Sequence, residues 1–232
     1  SEKEKEVVRA LDTVPFNFGD DDVDLLLVWR GLKPATSIDL GFQWSPDDSP
    51  HFMSNSEVNE AIAKVKKTGL YVTNPVREKE NARIFKKGTK EEYHTPGFDR
   101  IAVCVGREKD LAEKLARTPG HYVRGGESEI YGRLSGFPET AIRAYVEAEE
   151  KEGDTGRSSL LTVAGQLPEE VRNQDFLAFA DFKLSRAHWR EEIEVARRWA
   201  EEIRKIHLAL YAKKVDYYRG SLRGSRETTK PK

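Results

Sequence analysis

The chain has 232 residues, enough for one large domain or two small ones with a sizeable core. Charged residues make up 34 % of it, yet 39 Lys and Arg against 40 Asp and Glu leave a formal net charge of −1, which argues against a mainly electrostatic nucleic-acid binder. The single cysteine, Cys104, excludes an intrachain disulfide and a thiolate-rich zinc site, and no apolar run approaches the roughly eighteen residues needed to span a bilayer.

Abundant Glu, Lys and Arg beside one Cys and one Met is the composition expected of a thermophile. The opening Ser1-Glu2-Lys3-Glu4-Lys5-Glu6 is the opposite of a secretory signal, and a bridge-free chain fits a reducing compartment, so a cytoplasmic protein is expected.

The first segment predicts a short charged helix to about Leu11, with Val7, Val8 and Leu11 on one side and Pro15 ending it. Asp20, Asp21, Asp22 and Asp24 then precede Leu25 to Trp29. Clustered carboxylates can hold a hard cation, but the Gly and Glu spacing of a calcium loop is missing. Capping and first-turn roles for these aspartates are the favoured reading. Ser37 to Phe42 predicts a strand, followed by a loop from Gln43 to Met53 that carries His51. Ser54 and Glu57 form a capping box for a helix reaching about Thr68, closed by Gly69.

Leu70 to Thr73 predicts a second strand, with polar loops on either side of Ile84 and Phe85. The second of these loops holds Tyr93, His94 and Pro96. Arg100 to Gly106 is apolar without alternation, as in a strand buried on both faces, which makes Cys104 inert packing. A helix follows from Glu108 to Arg117.

Glu129 to Glu139 concentrates the most stereochemically demanding residues. Gly136 accepts positive φ just past a helix end, Pro138 suits the first position of a helix, and Glu139 meets the helix dipole. One helix should end near Ser135 and another start at Pro138, with Phe137 anchored in the core between them. Tyr131 and Arg133 would stand at this corner, where a guanidinium beside a helix N-terminus makes an anion site. The alternative is that Arg133 caps a helix carbonyl or pairs with Glu129 one turn earlier, and this structural reading is favoured.

Beyond a possible subdomain boundary at 151–156, Leu160 to Val163 is short and apolar, and Pro168 opens a helical turn. The alternation of Phe176, Ala178, Ala180 and Phe182 predicts a strand over 176–184, with Asp181 either facing solvent, the favoured case, or paired and perturbed. Ser185 should cap a long helix reaching about Ile206, with an apolar seam of Trp189, Ile193, Ala196, Ala200 and Ile203 widened by Trp199. His188 and Glu192 are one turn apart, but without a second His on that helix no metal site is expected. A break at His207 precedes further helix, and 219–232 predicts a disordered basic tail.

These elements predict an α+β (or α/β) fold with a small mixed sheet of about four to six strands packed by helices. The chain would form one domain over 1–218, with a long helix near its C-terminal end. Gly125-Gly126 is followed by Glu127, so there is no phosphate-binding loop, and neither a dinucleotide fingerprint nor a serine elbow is present. No cofactor is implied.

The segment Gly132-Arg133-Leu134-Ser135-Gly136-Phe137-Pro138 resembles one in some uncharacterised, mainly archaeal proteins, where a Gly, a Leu, a Gly, an aromatic and a Pro precede an amphipathic helix. The likeness covers less than a tenth of the chain. It departs at Thr140, Ala141 and Ile142, where a Cys would be expected, so any metal or redox cysteine of that family is absent, and no function is carried over.

Three functions follow from these residues. The first is a binding or regulatory protein, a candidate homodimer, that recognises an anionic small molecule or a protein partner. The second is an enzyme acting on a small phosphorylated or carboxylated substrate. It would use Arg77 and Arg133 as anion clamps and Glu129 or His94 as acid or base, with Tyr131 in the same pocket. The third is an RNA- or ribonucleoprotein-associated factor that uses the basic tail. No membrane association is expected.

Overall fold

The computed structural model describes residues 1–14, 21–43, 51–85, 92–118, 126–150, 160–161 and 166–227. Helix α1 (Glu2–Asp12) starts on a capping box between Ser1 and Glu4 and buries Val7 and Leu11. Helix α2 (Asp21–Trp29) has three aspartates in its first turn, then buries Leu25, Leu26, Leu27 and Val28 in succession. A helix apolar on every side needs neighbours all round, and it becomes the centre of the core. Gly31, at φ 76°, ends it and turns the chain into the sheet.

Strand β1 (Ala35–Gln43) pairs antiparallel with β2 (His51–Phe52) on one edge and with β5 (Glu92–Gly106) on the other. Beyond β5 lie β3 (Tyr71–Val72) and β4 (Val76–Phe85), both antiparallel to it. All pairings among these five strands are therefore antiparallel, so the expected mixture of directions does not arise and the fold is α+β. Helix α3 (Asn55–Lys67) carries the predicted capping box: Glu57 N–H donates to Ser54 Oγ at 3.3 Å, and Ser54 N–H donates to Glu57 Oε2 at 2.7 Å. Gly69, at φ 88°, closes it as expected.

Side chains alternate across the sheet. Ile38, Leu40, Val103 and Val105 join the main core with α2, α3 and α8 (Trp189–Ile206), while Ala35 and Cys104 meet Leu115 of α4 (Lys109–Arg117) and Leu134 of α5 (Gly126–Leu134). Strand β5 is thus covered on both faces, as its unbroken apolar run predicts, and Cys104 is packing. The corner between α5 and α6 (Glu139–Glu150) also forms as predicted, with Gly136 at φ 74°. A Cβ on Gly136 would lie 3.2 Å from Leu32 O and 3.3 Å from Lys33 Cα, so the corner rests on the turn leaving α2.

Further expectations need correcting, among them the loop from Gln43 to Met53, which contains strand β2 at His51 and Phe52 because these pair with Phe42 and Gly41 of β1. The polar stretches around Ile84 and Tyr93 are strands: β4 and β5 continue together as a two-stranded ribbon past the end of β1, from Asn81↔Pro96 to Phe85↔Glu92. Pro96 pairs with Asn81 beside a register shift, a place where a sheet tolerates a residue without an N–H. Residues 176–184 form no strand. A 3-10 turn (Asp175–Phe179) buries Phe176, Leu177 and Phe179, and the alternation in sequence is incidental to its three-residue repeat.

Ser185 does not cap α8 directly, because that helix begins four residues later. Instead Ser185 donates its N–H and Oγ–H to the buried Glu192 carboxylate at 2.7 and 2.6 Å, and its Oγ accepts from His188 N–H at 3.0 Å. Finally, α9 (Leu208–Glu227) continues through most of the expected tail, and Arg219 donates to Asp175 Oδ1 at 2.7 Å. The predicted break at His207 is present, and His207 Nε2 lies 2.7 Å from Asp12 Oδ1. Pro168 leads into the short α7 (Glu169–Arg172). The possible boundary at 151–156 lies outside the described residues. No helix among the described residues is long and apolar enough to cross a membrane.

Candidate functional site

The turn that Gly31 allows brings Lys33 back over α2. Leu32 and Lys33 N–H both donate to Leu27 O, at 2.9 and 3.3 Å, which aims the Lys33 side chain inward where it is 1 % exposed. Its Nζ donates to Asp24 Oδ1 at 2.6 Å and to Asp181 Oδ2 at 3.2 Å. It also lies 4.6 Å from the Trp199 ring centre and 5.7 Å from that of Phe137. Thr36 Oγ1 donates to the second Asp24 oxygen at 3.0 Å. Burial opposes the Lys33 charge, but Asp24 and Asp181 outweigh it and hold the ammonium above the ordinary lysine value. Burial raises Asp24 even though Lys33 pulls it down.

Above this triad, whose Asp181 remains exposed, the α5–α6 corner and residues 180–183 enclose a cleft of about 440 Å3. Its aromatic walls are Tyr131, Phe137, Tyr145 and Phe182, and Asp181 and Lys183 add the charges. Phe137 sits between Tyr131 and Phe182, with ring centres at 6.3 and 5.6 Å. Gly132 keeps α5 and α6 close, since a Cβ there would come within 2.8 Å of Ile142. Burial, then the carboxylates of Asp181 and Asp24, drive the Tyr131 phenol far above its ordinary range, so it stands in the cleft as a neutral hydroxyl. Tyr131 also lines a second hollow of about 20 Å3, with Arg100 and Cys104.

Of the candidate ligand-binding residues Tyr131, Arg133, Arg77, Glu129 and His94, Tyr131 lines the cleft, as does Asp181, which the sequence marks as a carboxylate among Phe residues. Arg133 is 53 % exposed and engaged by Glu129 at 2.6 Å and by Glu139 through two bonds at 2.8 and 3.1 Å. The pairing reading of Arg133 therefore holds, and α6 meets a carboxylate of its own at its first turn. Arg77 lies on β4 with its guanidinium 5.4 Å from the Phe52 ring centre, and His94 lies on β5 opposite Arg83. Neither Arg77 nor Arg133 is among the residues lining the cleft, and the His94 side chain lies outside those described. The described aspartates of α2 are first-turn residues, and no group of His, Cys, Asp or Glu among the described residues could hold a metal ion. Asp21 is held well above the carboxylate range by burial and by Asp39 and Asp24. The Glu192 carboxylate is occupied by Ser185, which removes it as a partner for His188.

The sequence does not single out Lys33, Tyr145 or the pairing role of Asp24, while Asp181 is exposed as expected, at 41 %, and is also paired with Lys33. One signal was present. Asp24 stands among Val23, Leu25, Leu26 and Leu27, and a charge within an apolar helix needs a partner. No family model, curated protein or solved structure matches this chain.

Proposed function

We propose that the protein is a binding protein whose ligand site is the cleft between the α5–α6 corner and residues 180–183. The observation that carries this reading is the construction of the cleft: four aromatic side chains around about 440 Å3, with an exposed carboxylate steadied from behind by a wholly buried lysine. That volume lies within the span of small-molecule sites, roughly 300–1,000 Å3, and mostly apolar walls with a few placed charges are their usual lining.

Acid–base chemistry is less well supported there. Lys33 is held as an ammonium, which is no nucleophile, and Tyr131 is held as a phenol. The anionic ligand expected from Arg133 and Arg77 loses its support, because neither lines the cleft.

Titration with indole, a neutral ring probe, tests this reading by backbone amide NMR. Shifts should concentrate in residues 128–145 and 180–184, and Ser128→Trp, which fills the cleft, should abolish them. Shifts elsewhere, or none at millimolar probe, would overturn the assignment.

A further inference from the structure

On that reading of the cleft, we propose that its ligand is an amino-acid-like zwitterion with a large apolar side arm. Its ammonium would rest on Asp181 and its acid group on Lys183. Lys33 is enclosed at 1 % exposure and cannot meet a ligand. It leans toward Asp24, at 2.6 Å against 3.2 Å for Asp181, so its charge is spent chiefly inside. Asp181 is held by one oxygen only: among the described residues Oδ2 alone takes a bond, and the side chain remains 41 % exposed in the cleft lining.

Lys183 lines the same cleft two residues on and is exposed. Among the described residues the two form no ion pair with each other. Two opposite charges that share a lining without neutralising one another complement a molecule carrying both signs. Tyr131, kept neutral beside Asp181, adds a further ring to the lining. The remaining lining, with Phe137, Tyr145, Phe182 and Ile142, suits an apolar or aromatic arm, and ring faces add attraction for an ammonium.

Calorimetric titration of the wild-type chain with four probes tests the proposal: L-phenylalanine, phenethylamine, which lacks the acid, hydrocinnamate, which lacks the amine, and indole. Phenylalanine should bind tightest, and each truncated probe about tenfold more weakly, the size of one charge-assisted hydrogen bond. Lys183→Gln, at an exposed position, should reduce phenylalanine to the level of phenethylamine and leave phenethylamine unchanged. Asp181→Asn should do the converse for hydrocinnamate, with a melting curve confirming the fold. The wild-type ranking decides the matter even if that variant unfolds. Phenylalanine no tighter than indole would overturn the zwitterion while the cleft assignment stands, and no binding of any probe, indole included, would overturn both.

Discussion

At the scale of single residues, Lys33 governs how the site is held. A buried ammonium is tolerated because two carboxylates, a hydroxyl acting through Asp24 and the face of Trp199 surround it. Removing only the cation leaves the Asp24 carboxylate without its counter-charge. Lys33→Met should therefore destabilise by about 3–5 kcal/mol, the usual result of breaking a buried pair from one side. Lys33→Met with Asp24→Asn should recover part of that loss, since the most buried uncompensated charge is gone. Urea unfolding of the three proteins measures both; equal stability of Lys33→Met and wild type would show that the triad contributes nothing. In the sequence Lys33 has no mark, lying between Leu32 and Pro34 like any turn lysine. Only the distant return of Asp181, 148 positions later, makes it special, and no local pattern encodes such a meeting.

The elements that could be read directly are those whose ends are written in backbone chemistry. The Ser54–Glu57 box, Gly69, the Gly136–Pro138 corner and the break at His207 each depend on groups within a few residues. The ribbon of β4 and β5 was hidden, because its charged residues show no apolar alternation and its Pro96 and Gly97 imitate a loop. The 3-10 turn at 175–179 was hidden for the opposite reason, since Phe176, Ala178, Ala180 and Phe182 meet a period of two while Phe176, Phe179 and Phe182 meet a period of three. About half of the site was likewise legible: the corner with Tyr131 was visible, its floor was not. The corner itself can be tested. Gly136→Ala places a Cβ at φ 74° against Leu32 O and Pro34 Cδ, and should cost about 1–2 kcal/mol from the left-handed backbone alone. Amide exchange should then quicken in α5 and α6 before the sheet; unchanged protection there would deny that the corner depends on the glycine.

For the molecule as a whole, Lys33 and Tyr131 give stability a definite pH dependence. Both Lys33 and Tyr131 bind their protons more tightly in the folded chain than in the unfolded one. Their contribution is fully present below the ordinary values, 10.0 for tyrosine and 10.5 for lysine, and is lost as pH rises beyond them. Melting temperatures recorded from about pH 8 to about pH 11 should therefore fall steeply at the alkaline end. Tyr131→Phe, which keeps the ring and removes the phenol, should fall less steeply above about pH 10. Parallel curves for the two proteins would show that Tyr131 titrates no differently once folded.

The contact between His207 and Asp12 spans 195 positions of sequence and fastens the first helix to the joint of the last two. Arg30 adds a cross-tie, reaching Glu4 at 3.1 Å and Glu202 at 2.5 Å. Helix α1 is thus belted both to the end of α2 and to the joint of α8 and α9, so loosening it would pull at once on the helix at the centre of the core.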